Sequence, residues 1–580
     1  MTESASNDNS PKTDISIDGQ LIAAFCKKNY VILLIVACMI FGFYLRSYHM
    51  NFPVIGYHNM KENQYIPYTE FMYNADEFLD YFRTETYWIG AQEHGYFTQY
   101  EFPLIPWITL AVWKVIGINV GAARFIIIVF SLASIPLLYL VGKKLTDNTA
   151  LILAACFFYT IMPISVFFGR NVQPEAPGLF FILLATYFFL CWREEILVDK
   201  NAYKQFLLFS ISILTAVLLK IPNGIGLIPL LFFVPYKKVL SQKKYAASLI
   251  VMFILILAMF PIWVNFSQWT MPEAATVGTS GFRESLQEVK ANIAMSLSTS
   301  YWSEHYVGIK AFVKDNFTFW FFWLAVLGVC FASLKYNTKI SLFVIGSFIS
   351  VIVYILCFAD KFRGHAYYQM VFVPFVCFAT AYALYVLAST ISQQINGKYQ
   401  EYIFVGVCIV ILALSYSSVT AATARAFDVI YYGEDIAGEF INQNSDPRDR
   451  IFIDGVSSQS VGILWHAHRY GIEEIPANLS WFQELEDTLQ FRWVVLYGPG
   501  IGTAQTKTEV WEYIQNTYKI RQVGFIIQDN QYVPFYFVLE KGGVVNLEEF
   551  VKNKTPSLAG SYEKTYETVD MYTIDDVMNK

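Results

Sequence analysis

Ionisable residues are scarce in this chain, and several stand in tight groups between long apolar runs. The first group reads Gly56-Tyr57-His58-Asn59-Met60-Lys61-Glu62-Asn63-Gln64-Tyr65, followed by Asp76-Glu77 and by Glu101-Phe102-Pro103-Leu104. A second is Gly169-Arg170-Asn171-Val172-Gln173-Pro174-Glu175, and Lys220 closes a later apolar run. A third is Asp360-Lys361-Phe362-Arg363-Gly364-His365-Ala366-Tyr367-Tyr368. Charge at membrane depth costs free energy, so such residues ask for an explanation. Carboxylates such as Glu62, Glu175 and Asp76 can take up a proton, and Arg170, Lys220, Lys361 and Arg363 can hold an anion. Each also has a plainer reading. Glu62 can pair with Lys61 or His58, Glu175 can favour a helix start after Pro174, and the cations can snorkel to headgroups. His365 can cap a loop, Tyr367 and Tyr368 can belong to an interfacial aromatic belt, and Glu101 can be a surface carboxylate.

The elements that must position these groups are membrane helices. Of 580 residues, 55% are hydrophobic and only 15% charged, against about 25% in a soluble domain. The net charge of −6 and the lack of a basic stripe argue against nucleic acid as a partner. All eight cysteines except Cys26 lie in apolar segments, so neither a disulfide framework nor a metal cluster is expected. Spans are expected at 30–44, 123–141, 150–168, 177–192, 206–219, 246–264, 317–332, 340–358, 367–388 and 402–418. An eleventh, 221–236, is interrupted by Pro222, Gly224, Gly226 and Pro229. The apolar run 102–117 carries Lys114 and two prolines; it either spans or lies flat in the interface.

The positive-inside rule decides between these. If 102–117 lies flat, Lys143-Lys144, Arg193, Lys200, Lys204, Lys237-Lys238, Lys243-Lys244, Lys335, Lys339 and Lys398 all fall in cytoplasmic loops. The expected fold is therefore a polytopic α-helical membrane protein of about 11 transmembrane helices. Residues 1–29 form a cytoplasmic tail, 30–425 the membrane domain, with outer loops at 46–122 and 265–316, and 426–580 an outward-facing soluble α/β domain ending in a polar tail after Asn546. Strands are expected at 450–454, 493–497, 521–527 and 532–539, and a helix at 508–517. Gly498-Pro499-Gly500-Ile501-Gly502 reads as a turn rather than a phosphate loop. On this topology Arg170, Lys220, Lys361 and Arg363 lie on the outer side, where the rule disfavours cations, so anion binding is the sharper reading.

The order of motifs resembles the GT-C glycosyltransferases of family 39, which include protein O-mannosyltransferases and aminoarabinose transferases acting on lipid A. The resemblance rests on Lys61-Glu62 early in the first outer loop, Glu101-Phe102-Pro103-Leu104 before the juxtamembrane helix, Arg170 to Glu175, and His365-Ala366-Tyr367-Tyr368. It covers roughly residues 30–418. Two positions depart from the pattern: Lys61 replaces the usual first acidic residue, and Glu101 replaces the lysine of the Pro-Pro-Leu motif. Asp76-Glu77 supplies a literal Asp-Glu later in the same loop.

The resemblance implies a GT-C fold and inverting transfer of a hexose or pentose from a polyprenyl-phosphate donor to a protein, lipid or glycan acceptor. The site would face outward from the plasma (inner) membrane. It implies Glu62 as general base in preference to Asp76, with Glu175 as second base or acceptor-positioning group. Arg170, Lys220, Lys361 and Arg363 would hold the donor phosphate, and His58, Tyr65, Glu101, His365, Tyr367 and Tyr368 would position donor and acceptor. No nucleotide cofactor is implied, and no ligand spacing calls for a divalent metal. The competing expectation is a transporter or flippase of a lipid-linked saccharide. Against it stand the absence of an internal repeat and the clustering of charges in loops rather than at mid-span.

Overall fold

A computed structural model describes residues 19–89, 101–270, 282–335, 337–395, 397, 399–455, 460–498 and 504–576. Lys398, most of the Gly498–Gly502 turn and residues 1–18 of the expected tail lie outside the described residues. The helix that carries the first span begins at Gly19, so the later part of the expected tail is helical.

Among the described residues eight helices are long and apolar enough to cross a membrane: Lys27–Arg46, Val120–Leu145, Glu175–Leu197, Lys243–Thr270, Thr299–Leu334, Lys339–Cys357, Ala366–Gln394 and Gln400–Asp428. The other three expected spans are the shorter apolar segments Thr149–Ile161, Tyr203–Leu219 and Ile221–Leu231. Their shortness has local causes. Pro163 stops the expected 150–168 span at Ile161 and starts the separate turn Pro163–Phe167. The proline- and glycine-broken run adopts a 3-10 turn, Ile221–Leu227, before the short helix Ile228–Leu231. Leu104–Ile116 has 13 residues and is about 20 Å long, too short for about 30 Å of hydrocarbon.

Ala366–Gln394 runs through the middle of the bundle, where Gly328 of a neighbouring helix meets it. A Cβ at Gly328 would collide with the Ala379 carbonyl oxygen, so glycine there allows the two backbones to touch. The helix Thr299–Leu334 kinks at Thr318, whose φ is 60°. Beside the kink, the Asn316 side-chain amide donates to the Ala366 carbonyl (3.0 Å) and to Gln369 Oε1 (2.9 Å), which fixes the turn carrying Tyr367 and Tyr368.

The C-terminal region builds one mixed sheet from β1 (Arg450–Asp454), β2 (Gly471–Glu473), β3 (Phe491–Tyr497), β4 (Tyr518–Gln528), β5 (Gln531–Lys541), β6 (Ser557–Glu563) and β7 (Thr568–Asp575). The strand order is β2-β1-β3-β5-β4-β7-β6, with β2, β1 and β3 parallel and the rest antiparallel. Alternation along β3 explains its continuous apolar run. Trp493, Val495 and Tyr497 pack under helices Glu434–Asn444 and Gly462–Ala467, while Val494 and Leu496 face helices Leu479–Leu489 and Thr508–Thr517. The expected polar tail after Asn546 is corrected by the structure. Its Ser, Thr and Tyr content hid two strands, and the hairpin β6–β7 extends the sheet by pairing with β4.

This domain is stitched to the segment that follows the first span. Gly56 bridges Ile430, Trp88 bridges Gly471, and the Tyr431 amide donates to the Ile55 carbonyl at 2.8 Å.

Candidate functional site

The helix Asn59–Tyr73 is the element that best marks a site. Most of its first turns are polar, yet Asn59, Lys61, Glu62, Asn63, Gln64, Thr69 and Glu70 are all buried in it. Burying so many polar groups is unfavourable unless they find partners, so specific polar contacts hold this helix alongside the core packing of Tyr65, Ile66 and Tyr68.

Two buried ion pairs meet at one place. Lys220 donates to Glu175 Oε1, and Lys61 Nζ lies 3.5 Å from Glu101 Oε2, which also accepts from the Tyr65 hydroxyl. Lys220 Nζ lies 3.9 Å from the Tyr368 ring centre and 4.6 Å from that of Tyr367, close enough for cation–π attraction. Glu175 Oε2 is buried and carries no hydrogen bond among the described residues. With Asn223, Tyr354, Tyr367 and Tyr368, this pair lines a cavity of about 10 Å³, the room of about one water.

His58 and His365 stand beside it. Their ring centres are 5.9 Å apart, and Tyr367 stacks on His365 at 5.1 Å and Tyr368 at 5.0 Å. Burial, reinforced by His365 on His58 and by Lys220 on His365, pulls these imidazoles down to about 3 and about 4. Both are therefore neutral at pH 7. Glu175, Lys220, Tyr65, Glu101, His58, His365, Tyr367 and Tyr368 thus lie together. Lys61 joins them as a cation whose role was not foreseen.

The remaining expected residues lie elsewhere. Glu62 makes a fork-to-fork pair with Arg124, with Nε to Oε1 at 2.9 Å and Nη2 to Oε2 at 2.7 Å, and Oε1 also accepts from the Val172 amide at 3.1 Å. Burial raises the cost of its charge, but the Arg124 guanidinium outweighs this and holds Glu62 below the ordinary carboxylate range. Arg124 Nη1 gathers the carbonyls of Met50 (3.1 Å) and Phe52 (2.5 Å), so the pair fastens the segment after the first span to the helix Val120–Leu145. Both oxygens of Glu62 are occupied, which suits an anchor better than a base.

Arg170 faces this second cluster. It donates to the His49 carbonyl at 2.8 Å and lies over the Phe427 ring at 4.8 Å. The preceding Gly169 is closely packed, and a Cβ there would lie 2.1 Å from the Ser165 carbonyl oxygen. It would also lie 2.7 Å from Arg46 Nε, and that buried guanidinium bonds Ser131 and Ser165 Oγ at 2.9 and 2.7 Å. Lys361 and Arg363 are partly exposed and pair with Glu288 (3.7 Å) and Asp360 (2.5 Å). Asp76 is exposed beyond the far end of the Asn59–Tyr73 helix from Glu62. Arg124 and Arg46 escaped notice in the sequence because each borders an apolar run, where an interfacial arginine is ordinary. Among the described residues no group of three or more His, Cys, Asp or Glu side chains could hold a metal ion.

A third polar contact joins the soluble domain to the same helix. Asn59 Nδ2 donates to Glu434 Oε2 at 3.1 Å. Burial, then the charges of Glu473 and Asp435, hold the Glu434 carboxyl well above its usual range, and burial lifts Glu473 to about 8. A carboxyl raised in the fold is protonated there and ionised in the unfolded chain. Its contribution is complete below the unfolded value near 4.5 and is lost as pH rises toward 8. Hydrogen exchange at 59–73 and 434–444 is therefore expected to be faster at pH 9 than at pH 6, beyond the intrinsic rate change. Glu434→Gln should remove part of that difference, and equal protection at both pH values would contradict the assignment.

A family described as dolichyl-phosphate-mannose-protein mannosyltransferase matches residues 101–263, the stretch containing Glu101, Arg170, Glu175 and Lys220. Over 88% of this chain and 74% of its own, a crystal structure of the Archaeoglobus fulgidus oligosaccharyltransferase superposes at 12% identity with a TM-score of 0.56. ArnT from Cupriavidus metallidurans bound to undecaprenyl phosphate superposes over 94% of this chain and 98% of its own at 11% identity with a TM-score of 0.50. The chain has the GT-C fold. The family match and these shared folds are those of glycosyltransferases. An uncharacterized protein of Aquifex aeolicus is 31% identical over 160 residues, so this GT-C chain spans under a third of that curated relative, 30% of its length.

Proposed function

We propose that this GT-C protein transfers a sugar from a polyprenyl-phosphate carrier to an acceptor at the outer face of the membrane, with inversion. The observation that carries the reading is the buried Lys220–Glu175 pair, with one carboxylate oxygen unengaged among the described residues and Lys61–Glu101 alongside. In such a transfer the glycosidic C1–O bond to phosphate breaks as an acceptor oxygen bonds to C1 from the opposite side. The acceptor's proton goes to a carboxylate, and the bonding pair leaves with the phosphate. Glu175 Oε2 is the group able to take that proton. Lys220 and Lys61 are the cations able to stabilise the charge growing on the phosphate, more strongly for being shielded from water.

His58, His365 and the Tyr367–Tyr368 stack form the wall against which the sugar is oriented, and neutral imidazoles there do not compete for the phosphate. Glu101 and Tyr65 hold Lys61. Glu62, with Arg124, positions the helix that carries Lys61, and Arg170 buttresses it from behind. The distribution of Lys and Arg supports an outward-facing site in a multi-pass protein of the plasma membrane. That ArnT and the archaeal oligosaccharyltransferase have been captured with a polyprenyl phosphate and a dolichol-phosphate supports the carrier class.

Binding of undecaprenyl phosphate to the full chain in detergent, followed by native mass spectrometry, tests the assignment. Lys220→Gln is expected to weaken binding about 10-fold or more, the scale of one charged hydrogen bond at roughly 1.5–3 kcal/mol. Lys361→Gln and Arg363→Gln should stay within about 2-fold, since partly exposed ion pairs are worth little. The reverse ranking would move the phosphate site to the 360–364 turn.

A further inference from the structure

Next to the His58–His365–Tyr367 wall lies a second, larger cavity of about 450 Å³. It packs against that wall through its own lining: Tyr57 lies 4.1 Å from His58 between ring centres, Phe168 lies 5.9 Å from His58 and 5.8 Å from Tyr367, and Ala366, next to Tyr367 in the chain, also lines it. Its far side is formed by the turn between β6 and β7, through Lys564, Tyr566 and Glu567. The volume falls within the roughly 300–1,000 Å³ of sites for small ligands.

The lining has a particular chemistry. Its aromatic members, Tyr57, Phe167, Phe168, Phe312 and Tyr566, offer ring faces and edges. Its charged members are three carboxylates, Asp315, Asp428 and Glu567, against two cations, Arg425 and Lys564. Both cations are already engaged, Arg425 by Asp315 and Lys564 by Glu567. Asp428 Oδ1 accepts from the Thr565 amide (2.8 Å) and hydroxyl (2.9 Å), which pins the turn over the cavity. A polyanion entering here would meet a net negative lining with no unengaged cation among the described residues, and would be repelled. A neutral polyhydroxylated ligand meets both hydroxyl acceptors and hydroxyl donors, with apolar ring surface for its C–H face.

We infer that this cavity is the acceptor site, that it takes a neutral saccharide rather than a phosphorylated acceptor, and that the β6–β7 turn selects it. The inference rests on the transfer reading for the word acceptor, but the cavity and its ligand class are tested without transfer. Tyr566 is 82% exposed at the turn, so its removal leaves the fold intact.

The full chain in detergent would be titrated by saturation-transfer NMR with neutral oligosaccharides of mannose, glucose and N-acetylglucosamine, the same sugars bearing a phosphate, and uncharged peptides of equal size. Expected is saturable binding of at least one neutral oligosaccharide, at least 10-fold weaker binding of its phosphorylated form, and at least 10-fold weaker binding to Tyr566→Ala. Undecaprenyl phosphate binding should be the same in Tyr566→Ala and wild type. Equal or tighter binding of the phosphorylated sugar overturns the inference. So does preference for a peptide, indifference to Tyr566→Ala, or failure of every saccharide to bind. If the saccharide binds as expected but no polyprenyl phosphate does, the transfer reading fails while the saccharide site stands.

Discussion

Glu175→Gln is expected to cut sugar transfer about 10²–10⁴-fold, the usual contribution of a general base, while the protein still binds a polyprenyl phosphate. The amide keeps the shape of the side chain and can still accept from Lys220 through its oxygen, but it cannot take a proton. Because Lys220 then lacks a counter-charge in a buried place, the variant should also be less stable. Breaking one partner of a buried pair costs roughly 3–5 kcal/mol. The two effects separate by experiment. The double variant Glu175→Gln/Lys220→Met removes the stranded charge and should recover part of the thermal stability. It should recover none of the transfer and should lose affinity for the carrier. Transfer returning with stability would make the pair structural and remove Glu175 from the chemistry.

Arg124→Met is expected to be the most destabilising single change in the membrane domain. It leaves the buried Glu62 carboxylate with the Val172 amide as its hydrogen-bond donor among the described residues and Arg170 as a nearby charge, and releases the carbonyls of Met50 and Phe52. The same scale of roughly 3–5 kcal/mol applies, and the loss should appear as a lower melting temperature and early proteolysis within residues 46–76. Glu62→Gln should behave similarly but more mildly, since one oxygen and the Val172 contact survive. If instead Glu62→Gln melts like wild type and abolishes transfer, Glu62 is the base after all and the Arg124 fork opens during turnover.

How much of this was legible in the sequence depends on which physical signal each residue sends. The spans announce themselves because hydrocarbon demands long apolar runs, and where proline or glycine interrupts one, as at Pro163 and Pro222, the boundary shifts as their geometry requires. The strands β1 and β3 were readable because they are apolar on both faces. β6 and β7 were not, because an edge hairpin of Ser, Thr and Tyr carries the composition of a tail. In the site, Glu175, Lys220, His365 and Tyr368 were readable as ionisable or aromatic groups in short polar stretches between long apolar runs. The partner of Glu62 was not, because Arg124 lies 62 positions away at the border of an apolar run. Nothing local distinguishes a buried arginine there from one that snorkels. Likewise Lys61 and Glu62 are neighbours in sequence but point to different clusters, since successive residues on a helix face about 100° apart. The dipeptide read as one motif is two separate devices, one toward Lys220 and Glu101, the other toward Arg124.

The most direct test reconstitutes the full chain in liposomes with a labelled polyprenyl-phosphate hexose and a neutral saccharide acceptor, and follows label in the saccharide together with free polyprenyl phosphate. Expected is stoichiometric release of the phosphate with transfer of the sugar in inverted configuration, abolished in Glu175→Gln and retained in Arg363→Gln. Passage of intact lipid-linked sugar across the membrane without cleavage, unaffected by Glu175→Gln, would contradict it and identify a flippase on a GT-C scaffold.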